Sequence, residues 1–208
     1  RPPTLRSNPS FRKVDMNSQT FVPKSLQRPW LVYLLLLLPQ VVITHSGLQS
    51  ADPIAALLDS TGFSAFLLMV LSLSLAPIRH TLRTNTNWLQ RPVGLALYSY
   101  GILHGFWYVL PNGLEDIDKP FIYLGLSALG LWTLLAVTSN RLSQKILKRN
   151  WKRVHRLTYL ATVLVLVHVT MNTKADHYLY IAGFTFWFFW QVAGRVRASR
   201  KTPAQAIA

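Results

Sequence analysis

The chain has 208 residues, of which 50% are hydrophobic and only 14% are charged, yet its formal net charge is +15. A soluble globular domain usually has about 25% charged residues, so this composition argues against a soluble fold and indicates basic residues concentrated between apolar segments. The chain contains no cysteine, which excludes disulfides, cysteine-ligated iron–sulfur clusters and haem attached covalently through C-x-x-C-H.

The N-terminal stretch 1–29 is rich in Pro, Ser and Arg and has no A-x-A cleavage pattern. A signal peptide has a continuous apolar region before its cleavage site, and this stretch has none. We therefore expect a disordered, basic cytoplasmic arm.

Six apolar segments follow, and we predict that each crosses a membrane as an α-helix. Their approximate bounds are Trp30–His45, Thr61–Ile78, Val93–Leu110, Pro120–Thr138, Val154–Met171 and Tyr178–Gly194. A helix needs about 20 residues to cross about 30 Å of hydrocarbon, so the first segment must extend beyond these bounds, and Pro39 is a potential kink site within it. The predicted fold is an all-α integral membrane protein with a six-transmembrane-helix bundle (30–194) and a basic cytoplasmic tail (195–208).

The distribution of Lys and Arg predicts the orientation, because cytoplasmic loops are enriched in these residues. One side of the predicted membrane holds 20 of the 22 basic residues, namely Arg1, Arg6, Arg12, Lys13, Lys24, Arg28, Arg79, Arg83, Arg91, Arg141, Lys145, Lys148, Arg149, Lys152, Arg153, Arg156, Arg195, Arg197, Arg200 and Lys201. The other side holds Lys119 and Lys174 with six acids, namely Asp52, Asp59, Glu115, Asp116, Asp118 and Asp176. Both termini are therefore predicted to be cytoplasmic. Insertion into a lipid bilayer with this orientation explains the excess of basic residues, so nucleic-acid binding is not needed to explain it.

Two histidines interrupt apolar segments that are otherwise suited to hydrocarbon. His104 lies in LALYSYGILHGFWYVL and His168 in TYLATVLVLVHVTM. An ionisable side chain inside a membrane is costly and usually functional, and neutral imidazole is a common ligand of haem iron. The third and fifth segments run in the same direction, so both histidines are expected at similar depth in the outer half. We predict a haem between them; the other interpretation is a histidine pair satisfied by backbone or water at a helix interface.

His155 is a third candidate ligand. It precedes His168 by 13 residues, or about 20 Å at about 1.5 Å per residue, which suits a second metal centre near the cytoplasmic face. The two side chains lie about 140° apart around an ideal helix, so a kink is needed for them to face one cavity. The corresponding positions on the third segment are Gln90 and Arg91, which are not normal haem ligands. His155 thus either ligates a second haem without an obvious sixth ligand or contacts lipid phosphate at the interface.

The remaining features are less specific. His45, His80 and His177 are expected near the membrane interfaces, with His80 in a basic inner loop. The aromatic groups Phe106–Tyr108 and Phe186–Trp190 are typical of interface anchors and helix packing, and some could line a porphyrin. Small residues let helices approach closely, and the third and fourth segments carry five of them: Gly94, Gly101, Gly105, Gly125 and Gly130.

Four stretches resemble one family of membrane proteins. They are ADPIAALLDSTG (51–62), L-x-P-I-R (75–79), LHGFWY around His104, and NWKRVHRLTYL (150–160) followed by His168. The chain from about residue 30 to residue 195 resembles the MsrQ family, formerly YedZ. That family belongs to the ferric-reductase-like transmembrane superfamily, which includes the NADPH oxidases.

The resemblance implies one or two haem b groups at His104, His155 and His168, with FMN as a further cofactor. It also implies a cytochrome of the bacterial inner membrane that takes electrons from the quinone pool or a cytosolic flavin reductase. Those electrons would pass to MsrP, a periplasmic molybdopterin reductase that repairs oxidised methionines. The superfamily has two histidines on each of two helices, and this chain departs from that pattern at Gln90 and Arg91.

Beyond the histidines, three common functional motifs are absent from the sequence. The chain has no Walker A, G-x-G-x-x-G or H-E-x-x-H pattern. Such a chain can still conduct electrons, because the cofactor supplies the chemistry. Two other functions remain open, namely a cytochrome b anchor subunit of another periplasmic oxidoreductase and a small non-haem transporter. The acidic outer loop Leu114–Lys119 is a candidate surface for a periplasmic partner, and the basic inner loop Arg141–Arg153 for an acidic flavoprotein.

Overall fold

The computed structural model describes residues 28–82, 84–113, 117–172 and 177–200, and the regular structure in these ranges is helical. The helices are α1 (Pro29–Leu48), α2 (Pro53–Leu82), α3 (Asn87–Asn112), α4 (Pro120–Val137), α5 (Arg141–Leu147), α6 (Arg149–His155), α7 (Leu157–Met171) and α8 (His177–Arg200). The predicted N-terminal arm, except for its last two residues, and the tail after residue 200 lie outside these ranges. So do Glu115, Asp116, Lys174 and Asp176, on which part of the predicted charge asymmetry depends.

Five helices form a closed ring in the order α2, α3, α4, α7 and α8, with α8 returning to α2. Helix α1 packs against α2 and α3, and its large apolar side chains, such as Leu38, Val41 and Val42, are mostly exposed. Exposed apolar surface of this kind suits contact with lipid. The ring separates α3 from α7 by α4 on one side and by α8 and α2 on the other. Side chains of α3 and α7 that point inward can therefore meet only across the interior.

Five segments are long and apolar enough to cross a membrane: Pro29–Leu48, Pro53–Arg79, Asn87–Pro111, Pro120–Val137 and Arg149–Met171. They correspond to the first five predicted spans. Helix α1 has the required 20 residues because it extends beyond the predicted span at both ends, and it continues through Pro39. The protein is therefore a multi-pass membrane protein. The sixth predicted span, Tyr178–Gly194, is helical within α8 but is not among the five, because its Trp, Tyr and Gln residues lower the mean hydropathy. A sixth crossing stays a prediction.

Some predicted boundaries differ from the observed ones. Helix α2 begins at Pro53 rather than near residue 61, and His80 lies in its last turns rather than in a loop. The basic inner loop forms the two short helices α5 and α6. The fifth span is interrupted at Arg156, where i→i−3 backbone hydrogen bonds replace the α-helical pattern. This interruption separates His155 from His168.

Polar contacts within the bundle join neighbouring helices. Tyr33 on α1 shares a 2.8 Å hydrogen bond with Ser99 on α3, and the Tyr100 hydroxyl donates to the Leu36 carbonyl over 3.3 Å. Gln191 on α8 donates to the Leu73 carbonyl of α2 at 2.8 Å. Such bonds contribute about 0.6 kcal/mol each in membrane proteins, so packing of the buried cluster, which includes Ala65, Met69, Leu97, Ala128 and Val165, is the larger contribution.

Candidate functional site

The imidazoles of His104 and His168 meet across the interior of the helix ring. Their ring centroids are 6.3 Å apart and their planes are nearly perpendicular, at 87°. His104 lies on α3 and His168 in the last turn of α7, so two helices that are not ring neighbours supply the pair. This contact places the two rings at the same level of the bundle, as their predicted similar depth requires.

Each of these imidazoles is oriented by a backbone carbonyl of a neighbouring helix, α2 for His104 and α4 for His168. His104 Nδ1 donates to the Leu58 carbonyl of α2 at 3.0 Å, and His168 Nδ1 donates to the Phe121 carbonyl of α4 at 2.6 Å. A carbonyl oxygen only accepts, so the proton of each neutral ring must lie on Nδ1. Nε2 of both rings is then left with a free lone pair, which is the form that binds a metal.

Thr61 adds a hydroxyl to the His104 side of the site. Its side chain is completely buried and donates to the Leu57 carbonyl. Its oxygen also lies 3.5 Å from His104 Nδ1, at the outer limit of hydrogen bonding. The His104 proton is therefore shared between a carbonyl and a more distant hydroxyl, whereas His168 has one shorter bond.

The spacing of the pair would suit two imidazole ligands of one metal. Two metal–nitrogen bonds of about 2.0–2.1 Å, with about 1.1 Å from each nitrogen to its ring centre, separate the centroids by about 6 Å. Within the described ranges, no group of three or more His, Cys, Asp or Glu side chains could hold a bare ion. A porphyrin supplies four nitrogens of its own, so two imidazoles are sufficient for a haem iron.

Indole groups provide further unpaired polar atoms. Among the described residues, the buried Nε1 atoms of Trp107, Trp132, Trp187 and Trp190 have no hydrogen-bond partner. An unpaired buried N–H group is costly, and in hydrocarbon no water is present to relieve it. Trp107 lies three residues after His104 and hence on nearly the same face of α3. Trp107, Trp187 and Trp190 were predicted as packing and interface residues, and the free donors of all four indoles are also suited to a polar ligand in the bundle.

His155 lies away from the pair, at the junction of α4, α6 and α7. Its ring stacks on Trp151 with centroids 4.0 Å apart, and its Nε2 lies 3.3 Å from the Thr138 hydroxyl. The Trp151 indole donates to the Thr138 carbonyl at 2.9 Å. These contacts hold the end of α4 against α6, and the described contacts of the His155 ring do not include another histidine.

Comparisons with known proteins agree with this arrangement. Residues 61–166 match the family model described as the ferric reductase like transmembrane component; the match includes His104 and His155 and ends two residues before His168. Two curated proteins, both named protein-methionine-sulfoxide reductase heme-binding subunit MsrQ, are similar over most of the chain. The one from Brucella ovis is 30% identical over an alignment of 186 residues that covers 83% of this chain and 84% of the relative. The one from Ralstonia nicotianae is 32% identical over 198 residues, covering 82% and 90%.

The chain belongs to the MsrQ family of ferric-reductase-like membrane proteins. The resemblance seen in the sequence motifs is thus confirmed. No solved structure matches the chain.

Sequence reasoning identified both histidines of the pair but missed the groups that orient them. The carbonyls of Leu58 and Phe121 leave no signal in a sequence, since every residue has a carbonyl. Thr61 was visible only as part of the family-like stretch 51–62. Of the weaker candidates, His45 contacts Gln49 at the surface of α1 over 3.2 Å, whereas the side chains of His80 and His177 lie outside the described part of the chain.

Proposed function

We propose that this MsrQ-family chain is a membrane b-type cytochrome with a haem between His104 and His168. The observation that carries the proposal is the pair of Nδ1-protonated imidazoles 6.3 Å apart inside the helix ring. The relatives' printed name, heme-binding subunit, supports the choice of cofactor. The absence of cysteine favours haem b, which needs no covalent attachment.

Bound there, the haem would supply one-electron chemistry that no side chain of this protein provides. The residues have simpler tasks. His104 and His168 bind through Nε2, the carbonyls of Leu58 and Phe121 hold each ring in its tautomer, and the surrounding apolar helices exclude water. FMN, which the family resemblance also implies, stays a prediction without assigned residues.

The direction of electron flow follows from the proposed topology in the bacterial inner membrane. With both termini cytoplasmic, the His104–His168 pair lies toward the periplasm and His155 toward the cytoplasm. Electrons would enter from the quinone pool or a cytosolic flavin reductase and leave to the molybdopterin enzyme MsrP. Reduction of one methionine sulfoxide to methionine and water consumes two electrons and two protons, so each repair requires two single-electron transfers. The relatives' name, which refers to protein-methionine-sulfoxide reductase, supports this partner.

A topology measurement tests that direction. We expect reporter fusions placed after Arg153 and after Arg200 to indicate cytoplasm, and a fusion after Asp116 to indicate periplasm, because basic residues favour the cytoplasmic side. Paired alkaline phosphatase and green fluorescent protein fusions give opposite signals at each site. A periplasmic signal at Arg200 would remove the sixth crossing, and a periplasmic signal at Arg153 would contradict the proposed depth of both histidines.

The function is tested with the purified protein. We expect a reduced-minus-oxidised spectrum of the b type and, after addition of MsrP with methionine sulfoxide, reoxidation of the reduced protein. A protein without haem would contradict the cytochrome proposal and favour the transporter alternative. A protein with haem that MsrP does not reoxidise would instead point to another periplasmic oxidoreductase as the partner.

A further inference from the structure

Two glycines support the histidine pair in the same way on two different helices. A Cβ atom built on Gly62 of α2 would lie 2.9 Å from His104 Cε1 and 3.0 Å from His104 Nδ1. A Cβ built on Gly125 of α4 would lie 3.0 Å from both His168 Cε1 and His168 Nδ1. In each case the Cε1–Nδ1 edge of an imidazole occupies the space that a side chain at the glycine would need.

The acceptor carbonyl bears the same relation to the glycine in both cases. Leu58 precedes Gly62 by four residues, and Phe121 precedes Gly125 by four residues. In an α-helix the carbonyl of residue i−4 points toward the N–H of residue i, and Cα–Cβ bonds tilt toward the N-terminus. A Cβ at the glycine would therefore stand beside the carbonyl that the imidazole must reach.

We propose that Gly62 and Gly125 are positioning residues that give each histidine access to a helix carbonyl and so set its tautomer and direction. This inference rests on the proposed haem site, because its consequence is that Nε2 of both rings is presented to one iron. We call each glycine–carbonyl pair a cradle: one is Leu58 with Gly62, and the other is Phe121 with Gly125.

The cradles differ in strength. The His168 bond is 2.6 Å long and the His104 bond 3.0 Å, and His104 also lies near the Thr61 hydroxyl. A stronger bond from Nδ1 makes the ligand more basic and favours the oxidised metal. The cradle of Gly125 therefore has the larger effect on the reduction potential of the site.

Two other helical glycines provide controls, one of them on the same helix as Gly125. A Cβ on Gly130 of α4, or on Gly94 of α3, meets no atom within 4 Å. Alanine is also a better helix former than glycine. Replacing these two glycines by alanine should therefore leave the histidines unaffected, and a loss specific to the cradles would not reflect weaker helices.

The test compares Gly62→Ala and Gly125→Ala with Gly94→Ala and Gly130→Ala in the full-length protein. We expect each cradle variant to lose about 10–100-fold in haem affinity, the usual cost of removing a group that orients a metal ligand, and the controls to match wild type. The haem that remains should show a raised midpoint potential, more in Gly125→Ala than in Gly62→Ala. Wild-type haem affinity and potential in both cradle variants would overturn the inference.

A second measurement separates this inference from the proposed function and from misfolding. Nitrogen-15 NMR of the haem-free protein, labelled at histidine, should show the Nδ1-protonated tautomer for His104 and His168. Gly62→Ala should perturb only the His104 signal and Gly125→Ala only the His168 signal, which general unfolding would not do. If a protein that binds no haem showed this pattern, the result would support the proposed role of the two glycines and would contradict only the cytochrome proposal. Nε2-protonated rings in wild type would refute the cradles whatever the haem content.

Discussion

Replacing either His104 or His168 by alanine is expected to remove most of the bound haem. The two imidazoles are the only histidine pair in ring contact among the described residues, and each is already held in the metal-binding tautomer by a carbonyl. Loss of one ring leaves a single protein ligand and an opened cavity in hydrocarbon. Any haem retained should become high-spin, since its iron would have lost one of the two proposed imidazole ligands.

The measurement is pyridine haemochrome quantification per mole of detergent-purified protein, with the absorption spectrum of the same sample. His45→Ala is the matched control, because His45 contacts only a neighbouring turn of α1 in the described structure. It should keep wild-type haem content. Full haem content in both His104→Ala and His168→Ala would refute the site and leave the pair as a hydrogen-bonded helix contact.

Replacing His155 by alanine is expected to slow reduction of the haem while leaving the haem bound. His155 precedes His168 by 13 residues, or about 20 Å along a helix, so it lies at the inner end of the proposed electron path. Its ring contacts the Trp151 ring, with centroids 4.0 Å apart, so two aromatic rings lie side by side at that end. We expect a loss of about tenfold or more in the reduction rate, the scale found when ligands or their supports are removed from metal sites.

Stopped-flow reduction by a quinol or a reduced cytosolic flavoprotein, at equal haem concentration, measures this rate. Thr138→Val is the control for packing: it keeps the shape beside His155 but removes the hydroxyl that contacts Nε2. If both variants are slow, the hydrogen bond that fixes the ring is what matters; if only His155→Ala is slow, the imidazole itself lies on the path. Unchanged rates in His155→Ala would take His155 off the path, and a haem count lowered by one per chain would make it a ligand of a second haem.

The sequence by itself determined the five helices that are long and apolar enough to cross a membrane, and it singled out the histidines that we propose as ligands. Apolar length predicted the five qualifying spans because a membrane helix must satisfy its backbone hydrogen bonds internally and cover a fixed thickness. His104 and His168 stood out for the same reason, since a polar ring in hydrocarbon is rare unless it has a function. Helical geometry also placed His155 and His168 on different sides of an ideal helix, and in the structure a break at Arg156 divides the segment that carries them.

Only the tertiary structure decided which face of each helix points inward. The contacts that depend on that choice were decided in the same way. A helix that is apolar all round has no stripe to indicate its inward side, and lipid is as apolar as the bundle interior, so burial does not select a face as it does in water. Close approach of backbones selects it instead. For that reason the ring order, the carbonyls of Leu58 and Phe121, and the contacts of Gly62 and Gly125 appeared only when the helices were packed together. The sequence supplied two histidines of similar depth, and packing of the helices brought their rings into contact and placed each Nδ1 on a carbonyl of a neighbouring helix.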